Sequence, residues 1–342
     1  MRKLEGFTKG INLGGWLSQH ELTEEHINTF IVESDIKKIA DTGADHLRLP
    51  IDYSIIENED GTDKPNGYVQ IDNCVKWCQK YGLNMVLDLH KAAGYIFDEA
   101  DDCKGFFYDD GLKARFKKLW DKLSKRYGMY PDSVAFELLN EVVDIEVSEV
   151  WNNLADETIK VVRANAPKSW ILIGGPFHNS VTTVKTLRPP VDDRIVFNFH
   201  CYEPLIFTHQ AAYWVAGMTD DFRISYPKDL GEYYKATEEV IGSFFGELIK
   251  GFDGVMCDVE FFKRYFSEAV EIAEKYNVPL YCGEYGVIDR ADPEGTLNWY
   301  KDINAAFNEY GIGRAAWSYK EMDFGITDEH YASVYEELIK YL

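Results

Sequence analysis

The 342-residue sequence contains no CxxC pair, no GxGxxG fingerprint, no phosphate-binding glycine loop, no basic stripe and no apolar run of bilayer-spanning length. Each absence closes off a class of function. Without the cysteine and histidine spacing of a zinc site, Cys74, Cys78, Cys103, Cys201, Cys257 and Cys282 are expected to be free buried thiols, and no metal is expected. Without a dinucleotide or phosphate motif, no cofactor is expected either. Lysine and arginine number 36 against 58 aspartates and glutamates, a formal net charge of -22. Such a field repels a phosphate backbone, so nucleic acid is excluded as a partner, and a neutral ligand suits the chain better than a polyanion. The lack of a spanning run excludes a membrane segment. Arg2 and Lys3 are not followed by an apolar stretch or a small-residue cleavage site. No signal peptide is therefore expected, which makes the chain cytoplasmic, or secreted if a leader has been removed. No heptad pattern or apolar tail offers a partner surface, so a monomer is expected.

What is present is an alternation. Apolar, strand-like runs occur at 10–13, 46–50, 84–90, 134–141, 170–175, 195–200, 279–284 and 314–319. Segments of helical periodicity lie between many of them, at 34–42, 71–81, 112–127, 150–164, 262–276 and 297–310, with Gly43 and Gly82 as stop signals. Eight strands alternating with helices predict an α/β chain folded as one (β/α)8 TIM barrel over 1–342. One connection is too long for a plain loop. It follows the sixth strand, covers 203–261 and is rich in aromatics, Tyr213, Trp214, Tyr226 and Tyr233 among them. We read it as an inserted helical subdomain capping the cleft.

Polar residues gather at the C-terminal ends of the runs: Arg48, His90, Asn140, Glu141, His200, Tyr202, Glu284 and, beside them, Trp317. A barrel makes such residues converge. Glu141 and Glu284 come from opposite halves of the chain, and two rigidly held carboxylates are what cleavage of a sugar acetal requires: one protonates the leaving oxygen, the other acts on the anomeric carbon. Arg48 and Tyr202 can donate hydrogen bonds to Glu284, favouring its ionised form. The charge on Glu284 is expected to bias Glu141 towards its protonated form, with His200 orienting the carboxyl group.

Several segments together resemble glycoside hydrolase family 5 over nearly the whole chain, and within it the small endoglucanases of the endoglucanase C type. They are Gly10-Ile11-Asn12-Leu13-Gly14-Gly15-Trp16, Arg48-Leu49-Pro50, Asp88-Leu89-His90, Leu139-Asn140-Glu141, His200-Cys201-Tyr202, Gly283-Glu284-Tyr285-Gly286 and Ala316-Trp317-Ser318-Tyr319. The resemblance implies Glu141 as general acid/base and Glu284 as nucleophile, with net retention. It further implies Asn140 on the sugar 2-OH, His90 on another hydroxyl and Trp317 as the floor under the ring. Trp214 in the insertion is a second candidate platform. Lys91 departs from the pattern, standing where a second histidine is usual, and puts a neighbouring hydroxyl contact in doubt.

The activity so implied is endo-hydrolysis of β-1,4 bonds in cellulose-like or mixed β-1,3/1,4 glucans. A β-mannanase, a xyloglucanase and an exo-β-glucosidase share the same catalytic set. A non-catalytic carbohydrate-binding barrel is a different class, disfavoured because both carboxylates are present. An aldolase-like barrel would need a lysine at a strand end or a ligand cluster, and Lys91 alone does not supply one.

Overall fold

The computed structural model describes residues 1–97, 104–252 and 254–342. Cys103 lies outside them. Eight parallel strands close into a barrel in sequence order. They are β1 (Lys9–Asn12), β2 (His46–Asp52), β3 (Asn84–Lys91), β4 (Val134–Glu137), β5 (Ile171–Gly174), β6 (Ile195–Cys201), β7 (Leu280–Tyr285) and β8 (Gly313–Ala316). β1 pairs with both β2 and β8, which closes the ring. Every residue of β2, β6 and β7 is buried, as expected of strands covered by helices outside and filled by side chains within.

The long helices run Glu33–Asp41, Val69–Tyr81, Asp110–Tyr127, Ser148–Asn165, Val259–Tyr276 and Pro293–Tyr310, close to the segments expected from periodicity. Their ends follow local chemistry. Asp109, Asp258 and Asp292 accept hydrogen bonds from the first-turn amides, and Gly82 ends its helix at φ 73, a left-handed conformation that a side chain would resist. Between β5 and β6 the chain makes only short turns, Pro176–Asn179 and Val181–Thr186.

The barrel interior is layered by the two-residue period of its strands. Val86, Ala135, Leu172, Val196, Tyr281 and Ala315 form an apolar plug, sealed at the N-terminal face by Leu4 and Phe7. Two residues further up, Asn12, Arg48, Asp88, Glu137 and Asn198 form a buried polar layer. The next step is the mouth.

The strands deviate from expectation where the mouth is built. β4 leaves the ladder after Glu137, not at 141. The departing chain is held by Leu138 N to Leu172 O and Asn140 N to Leu89 O, and Glu141 takes φ 38. In β7 the register slips, so that Phe199 faces Cys282 but His200 faces Glu284. A bulge of this kind re-aims a side chain. Here it turns Glu284 inward beside His200, and it needs Gly283, where a Cβ would lie 2.9 Å from both Asn198 Oδ1 and His200 Nε2.

The segment after β6 contains Leu205–Thr208, Leu230–Val240 and Ser243–Gly246 as short helices. Phe207, Tyr226, Leu230 and Tyr233 belong to the main hydrophobic core together with Phe261 and Trp299. Tyr226 donates to Asp302 at 2.8 Å, tying the segment to the helix 293–310. Ala212, in its first part, instead packs with Ile288, Trp317 and Phe324 at the barrel mouth, with Tyr202 and Val215 alongside. Cys74, Cys78, Cys201, Cys257 and Cys282 are free and buried. No helix among the described residues is long and apolar enough to cross a membrane.

Candidate active site

Arg48 organises the floor. It is fully buried, and its guanidinium spends all five N–H donors: on Glu137 (2.7 and 2.9 Å), Asn12 (3.0 Å), Asn140 (2.9 Å) and Glu284 Oε1 (2.7 Å). Asp88 lies 3.0 Å away. A buried cation is tolerable only when paired in this way. One cation faces three carboxylates, however. Burial, opposed by Arg48, pushes Asp88 up to about 7 and raises Glu137 as well. Asn12 and Asp88 stand in segments that carry the family resemblance, but the sequence assigns no role to them or to Glu137 and Asn198. The signal was there for Asp88 and Asn198, polar residues two positions before the ends of the third and sixth runs.

Above this layer, Glu284 Oε2 accepts from the Tyr202 hydroxyl at 2.9 Å. Burial and the two carboxylates raise the Tyr202 pKa, so the phenol stays a donor. Glu141 faces Glu284 across the mouth, and His200 stands between them. His200 Nδ1 is 2.7 Å from Glu141 Oε1 and 3.7 Å from Glu284 Oε2. One ligating atom from each of Glu141, His200 and Glu284 falls within 4.8 Å of the others. A cation could find three atoms there, but they are already hydrogen-bonded and Arg48 brings a positive charge to the same carboxylate. We assign no metal to them.

The electrostatics of Glu141 differ from the sequence expectation. Burial raises its pKa, but hydrogen bonds from two imidazoles, His178 (3.2 Å to Oε2) and His200, outweigh burial and hold it well below the usual carboxylate range. His200 moves the other way: burial lowers it, but Glu284 and Glu141 prevail and raise it. Glu141 is therefore held as an anion in the free protein, with His200 Nδ1–H donating to Oε1. The sequence does not bring out His178, because the fifth run closes on Gly174-Gly175. It lies just beyond, in Pro176-Phe177-His178-Asn179.

His90 Nε2 and Asn140 Nδ2 are among the buried polar atoms that lack a hydrogen-bond partner among the described residues. Burial pushes His90 down to about 4, so the ring is neutral. Its Nδ1 bonds Asp88 at 2.7 Å, which fixes the proton there and leaves Nε2 as an acceptor. Asn140 Nδ2 is a donor. Unpaired buried groups of this kind call for a ligand. Trp317, 5 % exposed, stacks parallel to His90 at 5.8 Å. Trp214 is 45 % exposed beside Tyr213, with His209 and Phe324 further off; it stands at the rim and not in the core. Lys91 lies over the Phe97 ring.

A closed parallel barrel with paired carboxylates at its C-terminal mouth, a tryptophan beside them and unpaired polar groups is the arrangement of a glycoside hydrolase. Residues 8–323 match the family described as cellulase (glycosyl hydrolase family 5), and the chain belongs to that family. It is 45% identical over 314 residues to cellodextrinase A of Ruminococcus flavefaciens, covering 92% of this chain and 86% of that one. It is 42% identical over 340 residues to endoglucanase C of Acetivibrio thermocellus, covering 98% of each. In fold it is similar to the endoglucanase of Thermotoga maritima, with a TM-score of 0.77, 24% identity, and 98% and 97% of the two chains covered.

Proposed function

We propose that the protein is a retaining endo-β-glucanase that hydrolyses β-1,4 bonds in cellulose-like or mixed-linkage glucans. The observation that carries the mechanism is the carboxylate separation. An oxygen of Glu141 lies within 4.8 Å of one of Glu284, near the roughly 5–5.5 Å of retaining enzymes and short of the roughly 6.5–9.5 Å that leaves room for a water. The named endoglucanase and cellodextrinase relatives support the substrate class.

In this reading Glu284 attacks the anomeric carbon. Arg48 and Tyr202 keep it anionic and aimed. Glu141 protonates the departing oxygen, and then takes a proton from the water that releases the sugar. Asn140 Nδ2 and His90 Nε2 find their missing partners in hydroxyls of the sugar at the cleavage site, over the Trp317 face. Exposed Trp214 serves as a second platform at the rim.

The similarity to a cellodextrinase favours a second reading, in which short soluble β-1,4-oligosaccharides are the main substrate. The product profile on soluble β-1,4-glucan, mixed-linkage glucan, mannan and cello-oligosaccharides separates the two. Internal cuts that lower polymer viscosity early support the endoglucanase. Turnover of oligosaccharides with polymer untouched supports the second reading, and activity confined to mannan overturns both.

Tyr202→Phe removes one donor from Glu284 without changing shape. A hydrogen bond to a charged group contributes about 1.5–3 kcal/mol, so kcat/KM is expected to fall about tenfold to a hundredfold with the melting temperature unchanged. An unaltered rate would remove Tyr202 from the reaction.

A further inference from the structure

Glu141 is held from both sides, and the two holds differ. His200, with 2% side-chain exposure, grips Oε1 at 2.7 Å; His178, with 43%, reaches Oε2 at only 3.2 Å. Oε2 is thus the oxygen held loosely and from the open side of the cleft. The turn that supplies His178 is costly. Phe177, His178 and Asn179 take φ of 63, 53 and 53 in succession, a left-handed run that costs on the order of 1 kcal/mol or more per non-glycine residue. It is stapled to the Glu141 segment by Phe177 N to Val143 O and His178 N to Val142 O. The Tyr95 hydroxyl, donating to Glu141 O at 2.6 Å and accepting from Val143 N at 3.0 Å, fixes that segment in turn.

We propose that His178 is a positioning residue of the reaction: its Nδ1–H occupies Glu141 Oε2 in the free enzyme, and the glycosidic oxygen of the substrate displaces it. The inference rests on the assignment of Glu141 as acid/base made above. Displacement has a chemical consequence. While both imidazoles donate to Glu141, its anion is stabilised. When the substrate oxygen replaces the His178 donor, the anion loses that support. Glu141 then takes up a proton from solvent on Oε2, beside the substrate oxygen, while His200 Nδ1–H keeps its bond to Oε1. Glu141 becomes an acid only when a bond is there to be cut.

The other groups that face Glu141 are His200 and Tyr202 at the end of β6, His209 beyond it, Glu284 on β7 and His90 on β3. None of these changes in a His178 variant. The alkaline limb of kcat/KM reports the free enzyme and that of kcat the substrate complex. Losing the donor destabilises the Glu141 anion only where His178 still touches it, so Glu141 itself holds a proton to higher pH in the free enzyme alone.

The test is the pH profile of His178→Gly and His178→Asn on cellotetraose, whose poor leaving group relies on the acid. Glycine relaxes the left-handed backbone, so folding is preserved. Asparagine tolerates that backbone and places an N–H donor near the position of Nδ1. In His178→Gly the alkaline limb of kcat/KM is expected to move up by about half to one pH unit while that of kcat stays in place. In His178→Asn the kcat/KM limb returns. Limbs that move together, or neither moving, overturn the proposal. Glu141→Ala is measured alongside. If it keeps the alkaline limb, the acid/base assignment itself has failed, which is a separate outcome.

Discussion

Glu284→Ala is expected to abolish turnover of β-glucans, with kcat falling about 10⁴-fold or more, a loss of the size seen when a nucleophile is removed from a covalent mechanism. That corresponds to roughly 5.5 kcal/mol of lost transition-state stabilisation. The proposed role explains the size, because no neighbour can replace the missing carboxylate. Arg48 and Tyr202 only donate, and His200 Nδ1 already serves Glu141 at 2.7 Å. Azide provides the decisive measurement. It is small enough for the space left by the side chain, and attack from the face Glu284 occupied inverts the anomeric carbon once. The variant with an activated aryl β-cellobioside and azide should therefore regain activity and release the α-glycosyl azide. Failure of azide to restore any product, or a β-azide as product, would remove Glu284 from the nucleophile's position. Alanine leaves Arg48 still paired with Glu137 and Asp88, so the buried cation is not orphaned and the fold should survive.

The barrel was legible because each strand announces itself as a short apolar run, and because the helices carry their own stop signals, such as Gly82. Convergence of Arg48, Glu141, His200, Tyr202 and Glu284 followed from placing them at strand ends. What the sequence concealed was register. The period of two along β7 would put Gly283, not Glu284, in line with His200; the bulge that reverses this is set by the close approach of Asn198 and His200 to Gly283. His178 was concealed for a related reason. It belongs to no strand or long helix, and only a left-handed turn pinned to Val142 and Val143 carries it to Glu141. The proton balance was concealed as well. Reasoning from Glu284 alone, we expected like charge to keep Glu141 protonated, whereas two imidazole donors within 3.2 Å reverse the sign.

Glu141→Ala is expected to show a different pattern, one that depends on the leaving group. General acid catalysis contributes about 10²–10⁴-fold, and that whole factor should be lost on cello-oligosaccharides, whose departing hydroxyl is a poor leaving group. An aryl cellobioside with an acidic phenol needs no proton. For it the first step should run nearly as in the wild type, and the intermediate on Glu284 should accumulate, because the water that releases it has lost its base. A burst of phenol followed by a slow steady rate is the expected trace. Azide, which needs no base, should then speed the second step and give the β-glycosyl azide, since Glu284 has inverted the centre once already. The opposite stereochemistry of the azide products from the two variants tests the roles of both carboxylates at once. Equal losses on oligosaccharide and activated aryl glycoside, with no burst, would show that Glu141 does not transfer the proton.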